Sequence, residues 1–171
     1  MKKTQKKLGN KGFSLVELIV VIAIMAVLVG VLAPTLIRNV EKSRESTDLQ
    51  NLDSIRQSVV TAISTEDVAG ELDTTNGNVI KYTDIATGTD LKGKLYTEMN
   101  ADNTLGVTMK SAAAKSKSSA AKDIYVVITA NGKVIVGVYS GEPTVANANS
   151  TADGTSLVKC GRTSGAYYIS Q

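Results

Sequence analysis

One carboxylate, Glu17, sits within an apolar stretch that opens at Phe13, directly behind a lysine-rich leader. A charged residue at the centre of a membrane helix costs about 2.5 to 3.5 kcal/mol on insertion scales, so an intramembrane acid implies a function and a partner. Glu17 lies near one end of the stretch, which lowers that cost without removing the need. Other reactive groups are few. The chain has no histidine, which excludes a His general base, Ser-His and Cys-His pairs and imidazole metal sites. Cys160 is the single cysteine, so no intramolecular disulfide can form, and a small buried side chain is its expected role. Asp73-Thr74-Thr75-Asn76-Gly77-Asn78 carries oxygen donors but lacks the EF-hand spacing and its closing glutamate, so neither a metal nor a cofactor is expected. Asn149-Ser150-Thr151 matches a glycosylation sequon. Without a Walker loop or a dinucleotide glycine pattern, the chain is not read as an enzyme, and any motor ATPase is a separate protein.

Leu18 to Ile37 contains no charge and is interrupted only by Gly30, Pro34 and Thr35. As a helix it spans roughly 30 Å, the hydrocarbon thickness of a bilayer. Five of the 19 basic residues precede residue 13, leaving 14 against 16 acidic residues. The leader therefore holds the N-terminus in the cytoplasm, and the slightly acidic remainder gives no reason to expect nucleic acid. The apolar core is longer than that of an ordinary signal peptide and has no Ala-x-Ala-like cleavage site after it. A plain signal anchor remains an alternative, though it leaves Glu17 unexplained. Pro34 removes a backbone donor, and Gly30 weakens the turn before it, so a kink is expected between a membrane half and a soluble half.

Beyond Arg38 the apolar residues thin to Leu49, Leu52, Ile55, Val59, Ala62 and Ile63, one stripe of a helix. The polar face is read as Glu41, Lys42, Arg44, Glu45, Asp48 and Gln50. A helix continuous from Phe13 to Ser64 would be about 78 Å long, so its second half must lay its stripe on something soluble. Residues 65 to 89 read as loop around one apolar piece, Val79 to Tyr82. Asp90 caps a short amphipathic helix to Asn100. Ser111 to Lys122, nearly all Ala, Ser and Lys, is a weak exposed helix or a loop. Asn131-Gly132 joins two β-branched runs, Asp123 to Thr129 and Lys133 to Tyr139, in a hairpin. Ser156 to Cys160 and Ala166 to Ser170 suggest a second hairpin. The fold class is α+β, with the long helix on a small antiparallel sheet.

A basic leader ending at Gly12, Phe13 opening the mature chain, Glu17 at its fifth place and Pro34 in the membrane helix together resemble the type IV pilins and their relatives, the type II secretion pseudopilins. The resemblance covers residues 1 to about 64. It implies cleavage between Gly12 and Phe13 by a prepilin peptidase, N-methylation of Phe13, and pairing of Glu17 with the Phe13 amine of a neighbouring subunit. Leader length and Phe13 look like the type IVa branch, and the absent disulfide resembles the pilins of Gram-positive bacteria. The implied organisation is a leader (1–12), a transmembrane or filament-core helix (13–37), an amphipathic continuation (38–64) and a soluble head (65–171). The implied partners are further copies of the chain in a helical homopolymer, the peptidase, an assembly platform and a motor ATPase. The chain would sit in the cytoplasmic membrane before assembly and in an extracellular pilus afterwards, serving motility, adhesion or biofilm formation. A secretion or competence pseudopilin, and a membrane-tethered binding module, are the competing readings.

Overall fold

The computed structural model describes residues 12–101, 105–114, 122–151, 156–163 and 166–171. Most of the expected leader lies outside this set, as do residues 115–121 of the Ala-Ser-Lys segment. The elements in chain order are α1 (Leu15–Ile63), α2 (Glu66–Ala69), β1 (Asn78–Lys81), a 3-10 turn (Tyr82–Asp84), α3 (Leu91–Ala101), β2 (Asp123–Ile128), β3 (Val134–Tyr139) and β4 (Ile169–Ser170). Two compact units divide the chain between Asn39 and Val40.

In the unit from Val40 onwards, the expected stripe of α1 becomes the core. Leu52, Ile55, Val59 and Ala62 are buried, and Leu49 and Ile63 are partly so. They join Ile80 of β1, Ile124, Val126 and Ile128 of β2, and Val134, Val136 and Val138 of β3 in one cluster. Alternation along the strands sends Val127 and Ile135 to the opposite face, where Ala148 and Val145 cover them. That period of two explains why these strands are apolar at nearly every position: both faces of the sheet are covered.

The sheet is antiparallel with order β1-β2-β3-β4. Val79 to Tyr82, expected as an apolar piece within a loop, instead supplies the edge strand β1, with Ile80 opposite Val126, and runs on into the 3-10 turn. The hairpin at Asn131-Gly132 forms as expected. Thr129 N–H donates to Lys133 O and Gly132 N–H to Thr129 O, both at 2.9 Å. The loop is thus three residues long, with Gly132 at φ +77° in the left-handed position that such loops require. The second expected hairpin is reduced. Leu157 and Lys159 make isolated bridges to Tyr139 and Tyr167, and only Ile169 and Ser170 form a strand. Val158 N–H donates to Val138 O and Tyr168 N–H to Val158 O, so these segments share the end of β3 between them.

Asp90 caps α3 as its residue type suggests, its Oδ1 accepting Gly93 N–H at 3.1 Å. The cap brings Gly88 hard against the helix: a Cβ added at Gly93 would lie 2.1 Å from Gly88 O. Gly93→Ala should therefore destabilise the head by about 1–3 kcal/mol, read as a lowered thermal midpoint. Gly141→Ala, whose added Cβ meets nothing within 4 Å, should leave the midpoint nearly unchanged; equal effects would refute the close approach.

Candidate functional site

Gly12, Phe13 and Ser14 lie outside regular structure and are exposed, and α1 begins at Leu15. The Gly12-Phe13 bond is thus in open, non-helical backbone. Ser14 is the N-cap. Its Oγ accepts Val16 N–H at 3.3 Å, and the Glu17 carboxylate turns back so that Oε2 accepts Ser14 N–H at 2.8 Å. The glutamate supplies its half of a capping box while the Ser14 hydroxyl takes the N2 donor, so both satisfy donors that a helix start leaves without partners. The helix dipole favours an anion at the same place. Glu17 accordingly aims its charge at the backbone one residue from Phe13 N. The signal for this cap, Ser14-x-x-Glu17, is present in the sequence.

From Leu15 to Asn39 every described side chain is exposed, on all sides of the helix. An 18-residue window has mean hydropathy 3.1 with none of it buried, making α1 long and apolar enough to cross a membrane. Apolar surface of this extent calls for lipid or other chains to cover it. The helix passes through Gly30 and Pro34 without interruption. A Cβ added at Gly30 would meet nothing within 4 Å, so its small size serves no packing among the described residues.

In the head, the polar face of α1 differs from expectation. Glu45 and Asp48, read as solvent-facing, are fully buried. Glu45 Oε1 accepts Arg162 N–H at 2.6 Å, while Oε2 accepts Thr163 N–H at 3.0 Å and Thr163 Oγ1–H at 2.9 Å. Asp48 Oδ1 accepts Lys110 N–H at 2.7 Å, and Oδ2 accepts Ser111 N–H at 2.8 Å and its hydroxyl at 2.5 Å. Ser111 Oγ lies a further 2.7 Å from Tyr168 Oη. Glu41, one turn earlier, accepts Ala112 N–H and pairs with Arg44. Three acids on one face of α1 thus fasten two returning loops, and converging N–H donors take the place of cations in keeping the buried charges solvated. Ser111 is itself fully buried, which denies a substrate access to the Asp48-Ser111 pair.

Cys160 is half-buried and unoxidised. Burial, with Glu45 nearby, pushes its thiol up to about 11, so it is protonated and weakly nucleophilic at neutral pH. Asp73 is satisfied locally by Thr75 N–H, Asn76 N–H and the Asn76 amide, which holds its carboxyl below the usual range. Among the described residues, no three His, Cys, Asp or Glu side chains gather as metal ligands. Two open cavities of about 210 and 300 Å³ flank Tyr82 and Thr83, lined mainly by apolar side chains of residues 105–109 and by Ile85, Tyr96 and Ile124.

Asp48→Ala leaves three donors facing an apolar methyl and should cost about 2–5 kcal/mol in the detergent-solubilised chain; Asp48→Asn, with one oxygen for both lobes, should recover only part. An unchanged thermal midpoint in the Ala variant would contradict the fastening role. Alkaline pH supplies a second check. Tyr139 is pushed up to about 12 by burial, as Cys160 is to about 11, against ordinary values of 10.0 and 9.0. The unfolded chain releases these protons first, so stability should fall from pH 9 to pH 12, and Cys160→Ala should remove the fall between pH 9 and 10 and lessen it between 10 and 11, where Tyr139 also contributes. Denaturant midpoints across that range would show it; a flat profile would contradict it.

The family profile described as the prokaryotic N-terminal methylation motif matches residues 7–33. That motif is the type IV prepilin-like signal, which points to a type IV pilin or a pseudopilin. No curated protein and no solved structure matches the chain.

Proposed function

We propose that this chain is the major structural subunit of a type IV pilus, made as a membrane-anchored prepilin and polymerised into a helical extracellular filament. The observation that carries the reading is the prepilin-like signal at residues 7–33, set on a helix start whose apolar continuation has no cover among the described residues. Prepilin peptidase cuts between Gly12 and Phe13 and methylates the Phe13 amine. The exposed, non-helical backbone at that bond suits a peptidase working at the membrane surface. Residues 1–12 are the leader, 13–37 the filament core, 38–64 the amphipathic continuation and 65–171 the head.

Polymerisation follows from two needs. The apolar side chains between Leu15 and Ile37 exchange lipid for the same helix of other copies. A head-to-tail contact of this kind does not close on itself, so it grows as a helix. Glu17 sets the axial step. In the precursor its carboxylate is satisfied by its own helix start; after cleavage, an incoming subunit's Phe13 amine offers a full positive charge at similar depth, and the exchange favours assembly. Gly30 and Pro34 mark where the helix can loosen as subunits leave the bilayer. An assembly platform and a motor ATPase, both separate chains, drive extraction, and the subunit itself needs no cofactor and performs no catalysis. In the finished filament it serves motility, adhesion or biofilm formation.

A pseudopilin carries the same kind of N-terminal signal. The two differ in product: a long surface filament for a pilin, a short fibre for a pseudopilin. Electron microscopy of sheared surface material should show filaments containing this chain, and Glu17→Ala should abolish most of them while the protein stays in the membrane. Normal filaments in that variant would refute the pairing, and cells with no filament containing this chain would refute the pilin reading itself.

A further inference from the structure

The sequence contains two Asn-Gly dipeptides, Asn76-Gly77 and Asn131-Gly132, and the fold treats them differently. Both asparagines are exposed. Both glycines sit in the left-handed region, at φ +76° and +77°. Each glycine N–H makes one backbone hydrogen bond of 2.9 Å, Gly77 to Asp73 O and Gly132 to Thr129 O. The difference lies in what else holds them. Asn76 donates its backbone N–H to Asp73 Oδ1 at 2.9 Å and its side-chain amide to Asp73 Oδ2 at 3.0 Å. Gly77 is pressed against β2, where an added Cβ would lie 2.6 Å from Ile128 O. Around Gly132 nothing lies within 4 Å of the same position, and the Asn131 amide makes no hydrogen bond among the described residues.

We propose that Asn131 is a site of spontaneous deamidation in the folded protein, that Asn76 is protected, and that the Asp73 carboxylate is the main source of the protection. In the reaction Gly132 N loses its proton to solvent base and attacks Asn131 Cγ. A C–N bond forms, the Cγ–Nδ2 bond breaks, and ammonia leaves. Water then opens the succinimide at either carbonyl, giving aspartate or isoaspartate with no change in oxidation state. Glycine suits the step because no side chain hinders its nitrogen. At Asn131 the amide need only rotate toward Gly132, and one hydrogen bond at an open hairpin tip must be released. At Asn76 two further bonds to Asp73 tie down the side-chain amide and the backbone beside it, and they too must be released. The product places a negative charge beside Lys133 at the tip, and the isoaspartate form lengthens the loop backbone by one carbon. This reading does not depend on whether the chain polymerises.

Tryptic cleavage separates the two sites, after Lys122 and Lys133 for Asn131 and after Arg56 and Lys81 for Asn76. The purified full chain, held at mildly alkaline pH and 37 °C and sampled over days, should show the deamidation mass gain several-fold faster in peptide 123–133 than in peptide 57–81. In urea the two rates should converge. Asp73→Ala, checked by circular dichroism for an intact fold, should raise the rate at Asn76 several-fold and leave Asn131 unchanged. Equal rates in the folded chain, faster loss at Asn76, or no gain at Asn131 would overturn the proposal. A difference that persists in urea, or an Asn76 that stays slow without Asp73, would overturn the structural cause given for it.

Discussion

The molecule is organised around a helix whose first half packs against nothing among the described residues. From Leu15 to Asn39 every described side chain is exposed, and that much apolar surface calls for lipid or other chains to cover it. In the function proposed above, the two environments open to it are the bilayer and the polymer. Passing from one to the other exchanges one apolar solvent for another, so burial alone gives little direction to the step. Direction must come from the polar group left at the helix start. Glu17 answers to its own backbone in the single chain, and in the proposed assembly the cleaved Phe13 amine of an incoming subunit would be a stronger partner.

The second half of the same helix meets a different requirement. One face gives Leu52, Ile55, Val59 and Ala62 to the core. The adjoining face buries Glu45 and Asp48 and uses them to hold residues 110–111 and 162–163. With a single cysteine, no covalent closure of the C-terminal loop is open to this chain. Carboxylates accepting several backbone donors each are a non-covalent fastening, effective because the loops bring their N–H groups to buried charges that have no other way to be solvated.

How much of this was legible depended on whether the signal was local. The stripe from Leu49 to Ile63 and the Asn131-Gly132 hairpin are written as periodicity and turn chemistry, and both appear in the fold. Strand β1 is only four residues long and pairs with β2 more than forty positions later in the chain, so Val79 to Tyr82 carried too little pattern to separate it from loop. Glu45 and Asp48 were misread for a related reason. A helical wheel sorts polar from apolar residues, but the donors that make burial tolerable come from loops 62 to 118 residues away. Ser14 and Glu17 have capping-box spacing, yet an acid in an apolar run invites an intermolecular explanation before a local one. In the function proposed here the two would be successive states of one carboxylate, first on its own helix and then on a neighbour's amine.

The most direct test is the mass of the N-terminal peptide of this chain recovered from sheared surface filaments. The account predicts a peptide that begins at Phe13 and carries one methyl group on its amine. An intact Met1, or a start at any residue other than Phe13, would contradict it.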